Sequence, residues 1–215
     1  MDAGSGTFSQ LQYHCSPADL SAIVVTHLHA DHWTDLPLAV HTLGFKHPEV
    51  SRLPVFGPPG FVDACGVTLR WRLEDGVFEP SELYDGFRVE IGAAEIEAIR
   101  VEHGDLDTYG VRIVDNGLTL AYSSDSSPCD ALVRLARDAD LFLCEATRAA
   151  GPPSAHATPV QAGEIASEAG ARRLLLTHLD PDEDPVQSGE LARTTFDGEV
   201  LVARDGLVVE IDTLS

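Results

Sequence analysis

Histidine and aspartate side chains are concentrated in one short segment, Thr26 to His32, which reads Thr-His-Leu-His-Ala-Asp-His and follows a run of apolar residues. Residues i and i+2 of an extended chain point the same way, so His27 and His29 can face one metal ion. A turn into a helix near Asp31 would present Asp31 and His32 to a second ion. Imidazole nitrogens and carboxylate oxygens are ligands of zinc and related divalent ions, and two such ions about 3.5–4 Å apart form a hydrolytic centre. The alternative, a solvated histidine-rich loop, is disfavoured by four ligand-type residues in so short a segment.

Further ligand-type residues follow three apolar runs later in the chain. His103 follows Ile99–Glu102, Asp125 follows Leu118–Ser124, and His178 follows Leu174–Thr177. Each of them alone is more typical of a surface loop. Taken with the first motif, they predict a site at the ends of strands with enough ligands for two metal ions.

The elements that must position these residues alternate between strands and helices, and no repeat or low-complexity linker divides the chain. The pattern predicts one α/β domain over residues 1–215. The helix after His156 has the clearest signals: Thr158 as N-cap, Pro159 at the first position and Gly170 just past the end. The predicted strands are Ala22–Thr26, Phe87–Ile91, Ala94–Val101, Tyr109–Val114, Leu118–Ser123, Asp140–Glu145, Arg173–Thr177, Glu199–Val202 and Leu207–Ile211, and the predicted helices are Asp35–Leu43, Pro59–Trp71, Asp130–Ala139 and Pro159–Ala169. Residues 47–55 and 71–81 are predicted as loops.

The order of the motifs resembles that of the metallo-β-lactamase fold superfamily, and within it the ribonuclease Z-like metal-dependent phosphodiesterases. The segments that carry the resemblance are Thr26–His32, His103 with Tyr109–Ile113, Tyr122–Asp125, Glu145–Thr147, His156–Thr158 and Leu176–Leu179. The resemblance implies a four-layer αββα sandwich with metal ions at one edge.

The resemblance also implies a ligand set and a cofactor. By it, His27, His29 and His103 would hold one ion, Asp31, His32 and His178 would hold the other, and Asp125 would bridge them. Asp31 counts among the catalytic residues as well. Five of these seven ligands are histidines, which favours zinc over manganese as the pair of divalent ions.

Two features favour phosphodiester substrates over other esters. His103 lies in Glu102-His103-Gly104 rather than in the Gly-His-Thr context usual in lactamase-type and glyoxalase-type relatives, and a Tyr-Gly strand follows it. By the same resemblance, His156 would protonate the leaving group, helped by Glu145. The leading interpretation is a dinuclear hydrolase of a cyclic nucleotide, a cyclic ribose phosphate or an RNA 3′ end, with a metal-bridging hydroxide as nucleophile. The alternatives are a lactone, thioester or sulfate-ester hydrolase and, less favoured, a non-catalytic scaffold.

The sequence departs from the ribonuclease Z pattern in two places. The residues Val114-Asp115-Asn116-Gly117 turn directly into the next strand, where ribonuclease Z inserts a long basic arm. The chain also begins at the segment Asp2–Gly6, which family members precede with one or two strands. We therefore expect the first N-terminal strands to be lacking; the exposed strand edges would favour a homodimer.

Composition limits the partners. The formal net charge of −21 opposes a broad electrostatic grip on nucleic-acid phosphates, so a small anionic or ester substrate is expected rather than extended nucleic acid. Four separated cysteines without a C-x-x-C pair indicate neither a disulfide scaffold nor a thiolate zinc site. Without a signal peptide or an apolar stretch of membrane-spanning length, a cytoplasmic protein with no membrane association is expected.

Overall fold

The computed structural model describes residues 1–74, 76–148 and 155–212 of the chain. The chain divides into two compact units, Met1–Tyr84 and Asp85–Ser215. Each unit builds its own sheet with helices from the same unit, so the predicted α/β class is confirmed.

The first unit is a small parallel sheet with helices. The elements are α1 (Thr7–Leu11), a 3₁₀ turn (Pro17–Asp19), β1 (Ile23–Val24), α2 (Ala30–Trp33), α3 (Leu36–Lys46), β2 (Leu53–Gly57), α4 (Phe61–Glu74) and β3 (Phe78–Glu82). The strands pair in the order β1-β2-β3, and the core of the unit includes Val25, Leu36, Val40 and Phe61.

The second unit is built on a mixed sheet of seven strands. The elements are β4 (Phe87–Ile91), β5 (Ala94–His103), β6 (Leu106–Asp115), β7 (Leu118–Tyr122), α5 (Asp130–Ala136), β8 (Leu141–Glu145), α6 (Pro159–Ala169), β9 (Arg173–Thr177), α7 (Pro185–Ala192) and β10 (Glu199–Val202). The strand order is β10-β9-β8-β7-β6-β5-β4. Strands β7 to β10 are mutually parallel, whereas β6 is antiparallel to both β5 and β7. Strand β5 therefore runs in the same direction as β7, β8 and β9.

This common direction matters for the site because the carboxyl ends of β5, β7, β8 and β9 all meet one edge of the sheet. The core of the unit lies between the sheet and its helices, with Leu132, Leu135, Phe142, Leu174 and Leu176 buried in one cluster. Packed layers of this kind hold the strand ends in fixed positions.

Most predicted elements of the second unit are confirmed. Phe87–Ile91, Pro159–Ala169, Arg173–Thr177 and Glu199–Val202 have the predicted bounds. The cap of α6 is also as predicted, because Thr158 and Gln161 form a reciprocal capping box and Gly170 closes the helix at a φ of 68°.

Three predictions about elements were wrong. The predicted loop 47–55 includes residues 53–55 of β2, and the predicted loop 71–81 includes the end of α4 and residues 78–81 of β3. The prolines of these strands, Pro54 and Pro80, argue against strands when they are considered locally. Parallel pairing of Pro54 with Glu79 and of Val55 with Pro80 overrides that local signal. Residues 207–211 form no strand: Val208 is exposed, and the carbonyl oxygen of Glu210 accepts a hydrogen bond from the Arg173 guanidinium at 2.8 Å.

Within the described ranges, every helix is too short or too polar to traverse a lipid bilayer.

Candidate metal centre

The first group of candidate ligands lies in the first unit, in the segment Thr26–His32, here called the histidine loop. His27 is fully buried and His32 nearly so, whereas His29 and Asp31 are exposed. The Nε2 atom of His27 lies 3.1 Å from Nδ1 of His29. Two nitrogen ligands of a tetrahedral zinc ion, with Zn–N bonds of about 2.0–2.1 Å, are separated by about 3.3 Å. The spacing of the two imidazoles therefore fits a shared ion.

Asp2 fixes the histidine loop from the start of the chain. One carboxylate oxygen accepts the backbone N–H of Thr26 at 2.8 Å, and the other lies 2.8 Å from Nδ1 of His32 and accepts the Thr26 hydroxyl at 3.1 Å. Because Nδ1 of His32 donates to Asp2, its lone pair is on Nε2, which lies 3.6 Å from the Asp31 carboxylate. A hydrogen-bond partner on one ring nitrogen, here the Asp2 carboxylate on Nδ1, orients an imidazole whose other nitrogen binds a metal ion.

Gly4 brings this N-terminal segment against helix α2. A Cβ atom at Gly4 would lie 1.7 Å from the backbone oxygen of Asp31, so no side chain fits there. The segment is fastened by backbone hydrogen bonds from Ala3 N to His32 O at 2.6 Å and from Asp35 N to Ala3 O at 2.7 Å. The glycine thus permits the contacts through which Asp2 reaches His32.

The second group lies in the second unit, where three side chains meet at one edge of the sheet; we call His103, Asp125 and His178 the strand-end cluster. His103 is the last residue of β5, Asp125 follows β7, and His178 directly follows β9. The Nε2 atoms of His103 and His178 lie 3.9 and 3.3 Å from Oδ2 of Asp125. Asp125 is nearly fully buried, which makes an ionised carboxylate costly unless cations or donors compensate it.

The donor chemistry of the strand-end cluster fits a divalent metal ion. Nδ1 of His103 lies 3.0 Å from the backbone carbonyl of Ala155, which can only accept, so this nitrogen carries the proton. The lone pair of His103 is therefore on Nε2, on the side of Asp125. Two imidazole nitrogens directed at a buried carboxylate, with their other nitrogens hydrogen-bonded, are the arrangement of metal-binding histidines.

Backbone strain marks the same residues. His178 and Ser124, the residue before Asp125, have positive φ angles of 53° and 57°, and Asp2 in the first unit has one of 52°. This conformation costs residues other than glycine about 1–2 kcal/mol, because their Cβ atom comes too close to the backbone. The turns redirect the chain directly after β9 and beside Asp125, and such strain is concentrated at functional sites.

Glu145 lies at the carboxyl end of β8, fully buried, and connects three groups. Its Oε1 accepts the backbone N–H of Ser126 and lies 3.0 Å from Nδ1 of His156, while its Oε2 accepts the Thr147 hydroxyl at 2.7 Å. Burial raises the pKa of Glu145 to about 7, partly offset by the hydrogen bonds from Ser126 and Thr147. The carboxyl group can thus hold or release a proton near neutral pH.

His156 lies just before helix α6 and contacts two histidines of the strand-end cluster. It lies two residues before the N-cap Thr158, and its ring stacks at 5.4 Å from that of His178 and contacts that of His103 edge to face at 4.8 Å. Ligand-type atoms of Asp125, His156 and His178 all lie within 4.8 Å of one another. With Nδ1 directed at Glu145, the Nε2 atom of His156 is the one that can address a substrate.

The sequence pointed to nine site residues, and each lies in one of these two groups. His27, His29, Asp31 and His32 are together in the first unit, and His103, Asp125, Glu145, His156 and His178 are together in the second. The roles of Asp2, Thr26 and Thr147 were missed. These residues occur in the quoted motifs, but only the fold shows that Asp2 contacts a residue 30 positions away.

Comparison with known proteins places the chain in a family. The family model described as "Beta-lactamase superfamily domain" matches residues 1–179. The chain belongs to this superfamily. An uncharacterized protein of Mycobacterium leprae, ML1173, is 35% identical over 98% of this chain and 77% of its own length.

Two further relatives are named for hydrolytic activity. The "Probable metallo-hydrolase YhfI" of Bacillus subtilis is 30% identical over 98% of this chain and 86% of the relative. Its crystal structure, described as a metallo-beta-lactamase fold protein, superposes with a TM-score of 0.85 at 27% identity, covering 96% of this chain and 84% of that one. Ribonuclease Z of Myxococcus xanthus is 28% identical over 98% of this chain and 87% of the relative. The fold is therefore the metallo-β-lactamase fold, and the superfamily supports a metal-dependent hydrolase.

Proposed function

We propose that this member of the superfamily is a dinuclear metal-dependent phosphodiesterase that acts on a small phosphodiester. The main support is that the strand-end cluster lies beside the Glu145–His156 pair. The cluster supplies metal ligands, and the pair supplies a proton donor. The relative named ribonuclease Z supports a phosphodiester as the bond that is cleaved.

The proposed metal ligands are the seven residues predicted from the sequence. They are His27, His29, Asp31, His32, His103, Asp125 and His178, and together they would hold two divalent ions, with zinc favoured by the five histidines. The assignment rests on motif order, on superfamily membership and on the geometry within each unit. When bound, such ions lower the pKa of a coordinated water and offset negative charge on the phosphoryl oxygens.

His156 is the proposed general acid. Its Nδ1–H donates to Glu145, so the buried carboxylate stabilises the protonated imidazole and leaves Nε2–H as the proton source for the departing oxygen. Glu145 itself is held by the backbone N–H of Ser126 and by Thr147, which fix the direction of its two oxygens. The pair therefore supplies a proton from a fixed position.

The net charge of −21 indicates which phosphodiesters are suitable. Because the sequence contains only 14 lysines and arginines, a long polynucleotide would gain little from surface charge. We propose a cyclic nucleotide, a cyclic ribose phosphate or an accessible RNA 3′ end as the substrate class, and a cytoplasmic location in which such substrates occur.

A panel of model substrates tests this proposal. The zinc-loaded and manganese-loaded proteins would be assayed with bis(4-nitrophenyl) phosphate, a 2′,3′-cyclic nucleotide, a lactone, a thioester and a sulfate ester. We expect hydrolysis of the phosphodiesters that is lost on chelation and in Asp125→Asn, while substitution of the exposed His14 by Gln leaves it unchanged. Hydrolysis of a lactone, thioester or sulfate ester without any phosphodiester hydrolysis would overturn the proposal.

A further inference from the structure

Thr147 lies between a buried carboxylate and a candidate metal ligand. Its hydroxyl donates to Oε2 of Glu145 at 2.7 Å, and the same oxygen lies 2.9 Å from Nδ1 of His178. Glu145 is fully buried, and the Nε2 atom of His178 lies 3.3 Å from the Asp125 carboxylate. A single hydroxyl thus connects Glu145 to the imidazole of the strand-end cluster.

The number of hydrogens fixes the direction of both hydrogen bonds. A threonine hydroxyl has one hydrogen, and an ionised carboxylate can only accept. When Glu145 is ionised, the Thr147 hydroxyl therefore donates its hydrogen to Oε2 of Glu145. Oγ1 of Thr147 must then accept a hydrogen bond from Nδ1 of His178. Nδ1 of His178 then carries the proton, and the lone pair is on Nε2.

We propose that Thr147 is a positioning residue that sets the tautomer and the orientation of His178 for metal binding. Glu145 acts through it, so one carboxylate serves two histidines: His156 through Oε1 and His178 through Oε2. This inference rests on the proposed metal-binding function, and it adds a residue to which the sequence motifs assigned no role.

The first unit contains a second arrangement of the same kind. The Thr26 hydroxyl donates to Asp2 at 3.1 Å, and its oxygen lies 3.2 Å from Nδ1 of the buried His27. The same count of hydrogens places the lone pair of His27 on Nε2, which is the atom near His29. A carboxylate–threonine–histidine chain therefore occurs in both groups of candidate ligands.

The test uses Thr147→Val, which removes the hydroxyl and keeps the branched shape, and Thr147→Ser, which keeps the hydroxyl. Thr194→Val is the matched control, because the Thr194 hydroxyl donates to the Leu191 carbonyl on an exposed turn. The first readout is the nitrogen-15 chemical shifts of the His178 ring in chelator-treated protein at pH 8, assigned by their loss in His178→Gln. The second is zinc affinity, measured by competition with a chromophoric chelator.

We expect the Nδ1–H tautomer of His178 in the wild-type protein, in Thr147→Ser and in Thr194→Val, and a rise of the Nε2–H tautomer in Thr147→Val. Zinc affinity should fall by about 10- to 100-fold in Thr147→Val, the usual effect of removing a partner of a metal-binding histidine, and recover in Thr147→Ser. Wild-type affinity and an unchanged tautomer in Thr147→Val would overturn the proposal, as would an Nε2–H tautomer in the wild-type protein.

The two proposals fail in different ways. A wild-type protein that binds no zinc or manganese would contradict the proposed function, whereas the tautomer of His178 in metal-free protein still decides the role of Thr147. Circular dichroism shows whether Thr147→Val folds. If it does not, the tautomer of His178 in the wild-type protein and the zinc affinity of Thr147→Ser decide the role of Thr147. An Nε2–H tautomer in the wild-type protein, or zinc binding by Thr147→Ser far weaker than wild type, would overturn the positioning role.

Discussion

At the scale of single residues, the buried Glu145 carboxylate organises the chemistry of the second unit. It contacts His156 directly and reaches His178 through Thr147. In the metal-free protein, burial raises the pKa of Glu145 to about 7.

Replacing His156 by Gln should lower turnover of an unactivated phosphodiester by about 10²- to 10⁴-fold, the usual contribution of a general acid. Bound metal should not change, because His156 is not among the seven proposed ligands. A 4-nitrophenolate leaving group needs little protonation, so its hydrolysis should fall much less. The measurement is kcat for both substrates at equal metal content, with His14→Gln as the control. Equal losses on both leaving groups, or no loss on the unactivated one, would show that His156 is not the acid.

Glu145 should make the metal-free protein less stable as the pH rises. Its pKa is about 7 in the folded protein against an ordinary value of 4.5, so the folded state holds the proton more tightly. The contribution of Glu145 to the free energy of unfolding is therefore present in full below pH 4.5. It is lost as the pH rises toward 7, by about 1.4 kcal/mol per pH unit. Urea unfolding of chelated protein at pH 5, 6 and 7 measures this slope.

The quantity to compare is the difference in unfolding free energy between wild type and Glu145→Gln, because contributions from groups that both proteins share cancel in it. That difference should change between pH 5 and pH 7, because a glutamine at position 145 has no ionisable proton. Parallel stability curves for wild type and Glu145→Gln would contradict the raised pKa.

At the scale of elements, four strand ends bring the second group of residues together. His103, Asp125, Glu145 and His178 lie at or just beyond the carboxyl ends of β5, β7, β8 and β9, which all point to one edge of the sheet. In the first unit, the close approach of Gly4 to α2 positions Asp2 beside the candidate ligand His32. The close approach leaves no space for a side chain at position 4.

Gly4→Ala should destabilise the protein, because its Cβ would lie 1.7 Å from the Asp31 backbone oxygen and no flexible side chain can yield. We expect a loss of about 1–3 kcal/mol, the range of overpacking, and weaker metal binding through displacement of Asp2 and His32. Gly66→Ala is the matched control, because no atom of the described residues lies within 4 Å of its Cβ position in α4. Removal of a glycine from a helix should stabilise the protein by up to about 1 kcal/mol. Thermal unfolding of both variants checks this, and a Gly4→Ala protein as stable as wild type would refute the close approach.

The sequence predicts elements best where local signals and burial agree. Helix α6 was predicted to the residue because Thr158, Pro159 and Gly170 mark its ends. Strands β2 and β3 were missed because Pro54 and Pro80 oppose strands locally, whereas pairing across the sheet and burial of Leu53, Val55 and Phe78 stabilise them in the fold. The candidate ligands could be predicted because their residue types are chemically distinctive. Asp2 and Thr147 could not, because their roles depend on hydrogen bonds that the fold creates.

At the scale of the whole molecule, superfamily membership and the strongly acidic composition combine. The metallo-β-lactamase fold supports a metal-dependent hydrolase, and the net charge of −21 disfavours a large nucleic-acid footprint. Metal ions would add positive charge at the ligands, so a small anionic substrate is compatible with an acidic chain. We therefore expect the seven proposed ligands to bind two divalent ions, as the proposed function requires.

The number of metal ions bound per chain tests this expectation. Native mass spectrometry of zinc-loaded protein, checked by elemental analysis, should give two ions per chain, with fewer in Asp125→Ala and in His27→Ala and two in the His14→Gln control. Chelation should remove the ions, and zinc should restore them. A protein that binds no zinc or manganese, or that keeps two ions in both Asp125→Ala and His27→Ala, would contradict the account.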